Sequence, residues 1–351
     1  MGRYLAQLDG IRFLAIIPVL MFHLPLPGFS LGWSGVQLFF VLSGFLISGI
    51  LLDSREDPHY FRNFYARRAL RIFPIYYLGL GVLVVGGLAT GQAVSDAPWY
   101  LFYLQNHLLG QTNFSPDFPL LFNHTWSLAI EEQFYFLWPL AVRLLPRRAL
   151  TATAFALLAV GAISRMAFLA GTGSTAMTFT SLPTEVDALA AGALLAILQR
   201  SGLPATAMQR VAAGCLVIGG AGIGAFVARS GIRAFWAPSG WLFAATDTLL
   251  WSALAVFFTG GLAHVLAWPS GRIAGILRWR PLVHVGKISY GLYLYHFPVF
   301  LLVNNGMAAG VLPDLPRPAH VALKLVLTYA VALASFRWIE SRFLALKDRF
   351  I

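Results

Sequence analysis

The first apolar run of the chain carries an arginine and a histidine 11 positions apart, in "DGIRFLAIIPVLMFHLPLP" (residues 9–27). At about 100° per residue, Arg12 and His23 fall about 20° from the same face of one helix, and about 16 Å apart along its axis. They share a wall but cannot touch. Asp9, three residues before Arg12, is close enough to pair with it. A neutral imidazole is suited to general-base work near pH 7. The plainer alternative is an arginine that snorkels to the headgroups and a histidine that ends a helix.

Three further stretches carry polar residues at helical spacing. In "NFYARRALRIFPIYY", Arg67, Arg68 and Arg71 make a cationic helix face laced with aromatics. Such a face suits phosphate or carboxylate, and equally suits simple membrane topology. In "HTWSLAIEEQFYFLWP", Ser127, Glu131 and Tyr135 recur every four residues as one polar stripe. Glu132 is offset by about 100°, so the stripe nominates Glu131 as the inward carboxylate. In "ISYGLYLYHFP", Ser289, Tyr293 and His296 share a face, where they can bind substrate or hold helices together. Asp187, with Glu185 nearby, and Asp247 are acids at membrane depth. They imply either a buried ion pair, with Arg165 or Lys324 as partner, or a wet cavity. The eight histidines are scattered, none making an i,i+4 pair on one helix, so no metal is expected.

The elements that must position these residues are transmembrane helices. The 351 residues are 58% hydrophobic and only 11% charged, which excludes an ordinary soluble domain. About ten spans can be placed, near 8–26, 31–52, 73–90, 124–145, 150–171, 182–199, 211–228, 241–265, 288–309 and 320–340. The fold class is therefore all-α, a polytopic membrane helix bundle read as a single domain over 1–351. The first run is not a cleavable signal, since it contains Asp9 and Arg12 and lacks a small-residue cleavage site. The net charge of +11 does not point to nucleic acid, because of the 25 basic residues eighteen fall in loops and tails on one side. Only Arg229, Arg233 and Arg317 fall on the other, which places both termini in the cytoplasm. Cys215 is the only cysteine, so no internal disulfide forms. The longest outer loop, 91–123, is too short for a folded domain. With Trp99, Tyr100, Asn106 and His107 it is expected to serve as lid or acceptor wall.

Taken in order, "LDGIRFLAII…FH", "GVQLFFVLSGFLIS", "FYARRALRIFPIYY", "WSLAIEEQFYFLWP" and "ISYGLYLYHFP" resemble the acyltransferase-3 family of integral membrane acyltransferases, typified by bacterial polysaccharide and O-antigen O-acetyltransferases. The resemblance runs from the first span to the last. It implies a bacterial cytoplasmic-membrane enzyme that moves an acyl group, usually acetyl from cytoplasmic acetyl-CoA, to a hydroxyl across the membrane, often on a sugar. The family's arginine–histidine pattern lands on Arg12 and His23, its arginine motif on Arg67, Arg68 and Arg71, and its acid on Glu131. On that basis Arg12 and the arginine face hold the donor phosphates, His23 is the base, and Glu131 orients or charge-stabilises it. An acyl-histidine intermediate is the other route. Two positions depart from the family pattern. Glu185 stands where an arginine is common, which bears on specificity, and Ser341 follows Glu340 where a Glu-x-Pro is common. An esterase-like outer domain, present in some relatives, is not expected here. Two other functions remain open: acylation of a small metabolite such as a macrolide, and transport or lipid flipping by the same buried charges, although no mirrored halves favour transport.

Overall fold

The computed structural model describes residues 4–24, 26–29, 31–115, 120–172, 175–231 and 241–350, without side chains at 120, 172, 175, 230 and 241–247. Arg3, Arg233 and the Asp247 side chain lie outside the described residues. Within them the chain forms helices and no strands. Lipid offers no hydrogen bonds, and a helix satisfies its own backbone.

Helices α1 (Ala6–His23), α2 (Ser34–Asp53) and α3 (Tyr60–Ala89) are followed by two short helices, α4 (Ala97–Leu101) and α5 (Gln105–Gln111). A 3-10 turn, Leu120–Thr125, leads into α6 (Trp126–Leu144). Then come α7 (Arg147–Thr172), α8 (Thr175–Thr180), α9 (Leu182–Gln199), α10 (Ala205–Ser230) and α11 (Trp241–Ala267). Two short helices, α12 (Arg272–Leu277) and α13 (Arg280–Lys287), precede α14 (Ser289–Ala308) and α15 (Arg317–Ser335). A π-helical turn, Phe336–Glu340, carries α15 into α16 (Ser341–Ala345). No proline follows Glu340 here, and the helical backbone continues from Phe336 to Ala345.

Eight helices among the described residues are long and apolar enough to cross a membrane, so the chain is a polytopic membrane bundle. The two expected spans outside that set are α6 and α14, of 19 and 20 residues. They hold the polar stripes and so fall below the apolarity of a lipid-facing helix. α3 begins at Tyr60, well before the expected 73, so the arginine face and the third span are one continuous helix. Asp57 anchors its start, accepting from the His59 backbone N–H at 2.7 Å and from Asn63 Nδ2 at 3.0 Å. The His59 bond, then the Asn63 bond, hold the Asp57 carboxyl below the usual carboxylate range.

Small residues and buried polar links set the helix contacts, as expected where lipid removes the hydrophobic drive between helices. At the α2–α9 crossing, a Cβ on Gly44 or Gly192 would fall 1.9 Å from a facing carbonyl oxygen, of Leu189 or Val41. Arg165 on α7 is fully buried and grips Asp187 on α9 with two bonds, of 2.5 and 3.1 Å, and Ser252 Oγ at 2.8 Å. Lys324 is not that partner. Its ammonium lies 5.7 Å from the ring centre of Phe300. Glu185 accepts from Trp251 Nε1 at 2.6 Å and from Gln37 Nε2. These acids therefore belong to a buried network that locks α2, α7, α9 and α11 together.

The segment expected as a lid is packed inside in part, although Leu101, Phe102 and Leu104 are exposed. Tyr100, Gln105 and Asn106 are buried, while Trp99 and His107 are half-buried. Tyr76 donates to the Tyr100 carbonyl at 2.8 Å, and Tyr100 donates to Asn123 Oδ1 at 2.8 Å. Asn106 donates to the Thr180 carbonyl at 2.9 Å and accepts from Gln133 at 2.8 Å. Irregular backbone is tolerated beside a membrane when protein surrounds it, and here α3, α6 and α8 do so.

Candidate active site

At the end of the bundle that holds both described termini, a cavity of about 340 Å³ opens between α1, α2, α3, α6 and α14. Arg12, Arg67, Arg68, Arg71 and Lys347 line it, so the arginine face and Arg12 converge as expected. Arg12 is held by Asp9. Arg67 is exposed at the mouth, 3.4 Å from the Phe350 carbonyl. Among the described residues, the side chains of Arg71 and Lys347 make no hydrogen bond and no ion pair. Cations left unpaired in a cavity within a membrane protein call for an anionic ligand. The lining reaches from Ile50 to Val36 on α2, about 21 Å along that helix.

Arg68 is the organised one. Its guanidinium carbon lies 3.9 Å from the ring centre of Tyr135. Its nitrogens lie 3.9 Å from Glu131 Oε2 and 3.8 Å from Glu132 Oε1. The structure thus corrects the expectation that Glu132 points elsewhere: Arg68 sits between both carboxylates. It also corrects the partner of Glu131, which accepts from Ser43 Oγ at 2.5 Å and faces Arg68. The expected contact between Glu131 and His23 is not made. Spacing along α6 gives direction but not reach, and Arg68 is long enough to meet both acids.

Deeper in the bundle the stripes of α6 and α14 meet. Ser127 Oγ and Tyr293 Oη are 2.6 Å apart, and Tyr293 also bonds the His124 carbonyl. A carbonyl only accepts, so Tyr293 donates to it and Ser127 donates to Tyr293. Ser289 and Tyr290 add to the cavity wall, with Tyr290 donating to the Ile72 carbonyl at 2.8 Å.

Beyond Tyr293 stand three histidines from three elements. His23 ends α1, His296 lies on α14, and His124 sits on the turn before α6. His296 Nδ1 lies 2.6 Å from the Tyr293 carbonyl, so that nitrogen carries the proton and Nε2 holds a lone pair. His23 Nδ1 faces this lone pair at 3.2 Å and the Val19 carbonyl at 3.0 Å. Both neighbours accept, so the proton of neutral His23 sits on Nδ1 and its lone pair on Nε2. That tautomer leaves Nε2 free to accept a proton, and the side chain beside His23 is His296 rather than the expected Glu131. No cluster among the described residues has the arrangement of a metal site.

Sequence spacing missed three neighbours: Ser43, His124 and Lys347. His124 opens a motif already singled out, yet it precedes the helix, so helical periodicity says nothing about where it points. Lys347 lies past the last span and reaches the cavity only because the C-terminal turn folds back against α3. Glu185, the departure from the family pattern, does not line the cavity.

Comparison with known proteins bears on the family. A family model described as an acyltransferase domain matches residues 5–337. The O-acetyltransferase OatA of Staphylococcus aureus is 29% identical over 97% of this chain and 57% of its own length. The putative peptidoglycan O-acetyltransferase YrhL of Bacillus subtilis is 30% identical over 96% of this chain and 54% of its own. The peptidoglycan O-acetyltransferase OatA of Listeria monocytogenes is 27% identical over 97% and 56%. The chain therefore spans little more than half the length of these relatives. No solved structure matches it. With motifs, bundle and family model in agreement over nearly all its length, the chain belongs to the acyltransferase-3 family of membrane acyltransferase domains.

Proposed function

We propose that this chain is an O-acetyltransferase of a bacterial cytoplasmic membrane that takes its acyl group from acyl-CoA and delivers it to a hydroxyl of a cell-surface glycan. The observation that carries the reading is the cation-lined cavity leading toward Tyr293, beside which His23 and His296 are paired. Basic residues concentrate at the cavity's mouth, which favours the cytoplasmic side for it. The unpaired charges of Arg71 and Lys347 fit the phosphates of CoA, and the depth of the cavity fits its arm. CoA supplies an activated thioester. The relatives named for peptidoglycan favour a glycan acceptor.

In this reading Arg12, Arg67, Arg68, Arg71 and Lys347 hold the donor phosphates. Glu131, Glu132 and Tyr135 hold Arg68 in place. His23 Nε2 takes the proton of the acceptor hydroxyl as its oxygen bonds to the acyl carbonyl carbon. The carbon–sulfur bond breaks, and His23 returns the proton to the departing sulfur. While His23 is charged, His296 Nε2 and the Val19 carbonyl stabilise its Nδ1–H. Ser127 and Tyr293 border the path between the two substrates.

The test is direct. Purified protein in lipid nanodiscs is incubated with acetyl-CoA labelled in the acetyl group and a soluble glycan oligomer. Alkali-labile label on the glycan is the expected result. Glycan without label, together with no measurable binding of CoA, would remove the proposal.

A further inference from the structure

His124 has no part in the mechanism above, yet it is buried beside the reacting histidine. Its Nε2 lies 3.2 Å from the Leu294 carbonyl. The carbonyl can only accept, so Nε2 carries the proton and Nδ1 holds a lone pair. Among the described residues nothing donates to that Nδ1, although it is sealed from solvent. Buried acceptors are nearly always satisfied, and an exception calls for a missing partner.

The position of the ring indicates which partner. The His124 ring centre lies 4.9 Å from that of His296 and 5.5 Å from that of Phe297. The His23 ring centre lies 4.9 Å from that of His296 and 5.4 Å from that of Phe297. His23 and His124 thus flank the same two residues of α14. Each neutral ring offers one unshared lone pair, Nε2 on His23 and Nδ1 on His124. Two imidazole acceptors flanking the same two residues of α14 suit a molecule with two hydroxyl donors.

We infer that His124 Nδ1 accepts a hydrogen bond from a second hydroxyl of the acceptor, while His23 takes the proton of the first. The acceptor then carries a second donor beside the reacting hydroxyl, as a polyhydroxylated sugar ring does and a lone alcohol does not. This rests on the acyl-transfer reading above and narrows its acceptor.

Two substitutions separate this from a structural role. His124→Gln keeps an N–H where Nε2 bonds Leu294 but places no acceptor at the Nδ1 position. His124→Asn does the reverse, with its amide oxygen near the Nδ1 position. The probe is chitotetraose, a β-1,4-linked tetramer of N-acetylglucosamine, labelled with a fluorophore. Its affinity for the full chain in nanodiscs is measured without donor, and its KM is measured with acetyl-CoA. One lost hydrogen bond predicts a weakening of about tenfold in His124→Gln, with His124→Asn staying within about threefold of wild type. Gln binding like wild type, both variants weakened alike, or Asn weakened more than Gln would each overturn the inference. So would wild-type protein that does not bind chitotetraose. If wild type binds the sugar with the Gln–Asn split intact but transfers no acetyl group, the sugar site stands and the acyl-transfer reading falls.

Discussion

Nδ1 of His23 lies 3.2 Å from Nε2 of His296, although 273 positions separate the two residues in sequence. Because His296 commits its own Nδ1–H to the Tyr293 carbonyl, the direction of the His23 bond is determined. The free lone pair of His23 is Nε2.

His23→Ala should cut acetyl transfer by about 10²–10⁴-fold, the usual contribution of a general base. Replacing His296 with Phe should cut kcat less, by about 10–100-fold, since it removes orientation and one charged hydrogen bond. Neither change should alter CoA affinity by more than about twofold, because Arg12, at the cation-lined end of the cavity, lies about 16 Å from His23 along α1. Steady-state kinetics with a separate CoA titration checks this. A His296→Phe protein with wild-type kcat would leave the tautomer of His23 to some other group.

Arg68 and Arg71 should behave differently although they share a helix face. Arg71→Gln removes a charge without a protein partner, so CoA affinity should fall by about 1.5–3 kcal/mol with little change in melting temperature. Arg68→Gln leaves Glu131 and Glu132 side by side without their cation. It should lower both affinity and thermal stability, and Glu131→Gln in that background should restore some of the stability. Equal melting temperatures for the two single variants would contradict this pairing.

The Arg165–Asp187 link should be structural. Asp187→Asn or Arg165→Leu leaves a buried charge uncompensated and should destabilise by about 3–5 kcal/mol. Replacing both with apolar residues should recover much of that loss. Denaturant unfolding in detergent measures it. If instead either single variant lost only CoA affinity, the network would belong to the active site.

The 97–111 segment should resist deletion. Asn106→Ala strips a donor from the Thr180 carbonyl and an acceptor from Gln133, at a cost of about 1–3 kcal/mol. Removing the whole segment should abolish folded protein rather than merely change acceptor kinetics. A deletion that purified with wild-type stability would return this part of 91–123 to the lid role first expected.

The linear chain determines much about this protein. Its apolar runs require a helical membrane bundle, because lipid leaves backbone groups no other partner. The 11-residue spacing of Arg12 and His23 puts both on one wall. The four-residue repeats make Ser127–Glu131–Tyr135 one stripe and Ser289–Tyr293 part of another. Periodicity along a helix assigns residues to a face. It does not say which face of another helix comes opposite, or how far a long side chain reaches. Those were settled by packing, through close contacts such as Gly44 and Gly192 at the α2–α9 crossing. Packing gave Glu131 to Arg68 and His296 to His23, drew Glu132 to the same guanidinium, chose Arg165 over Lys324 for Asp187, and turned the 97–111 loop inward. It also brought His124 from outside any helix to the paired imidazoles, because only the fold relates residues that no helical repeat connects.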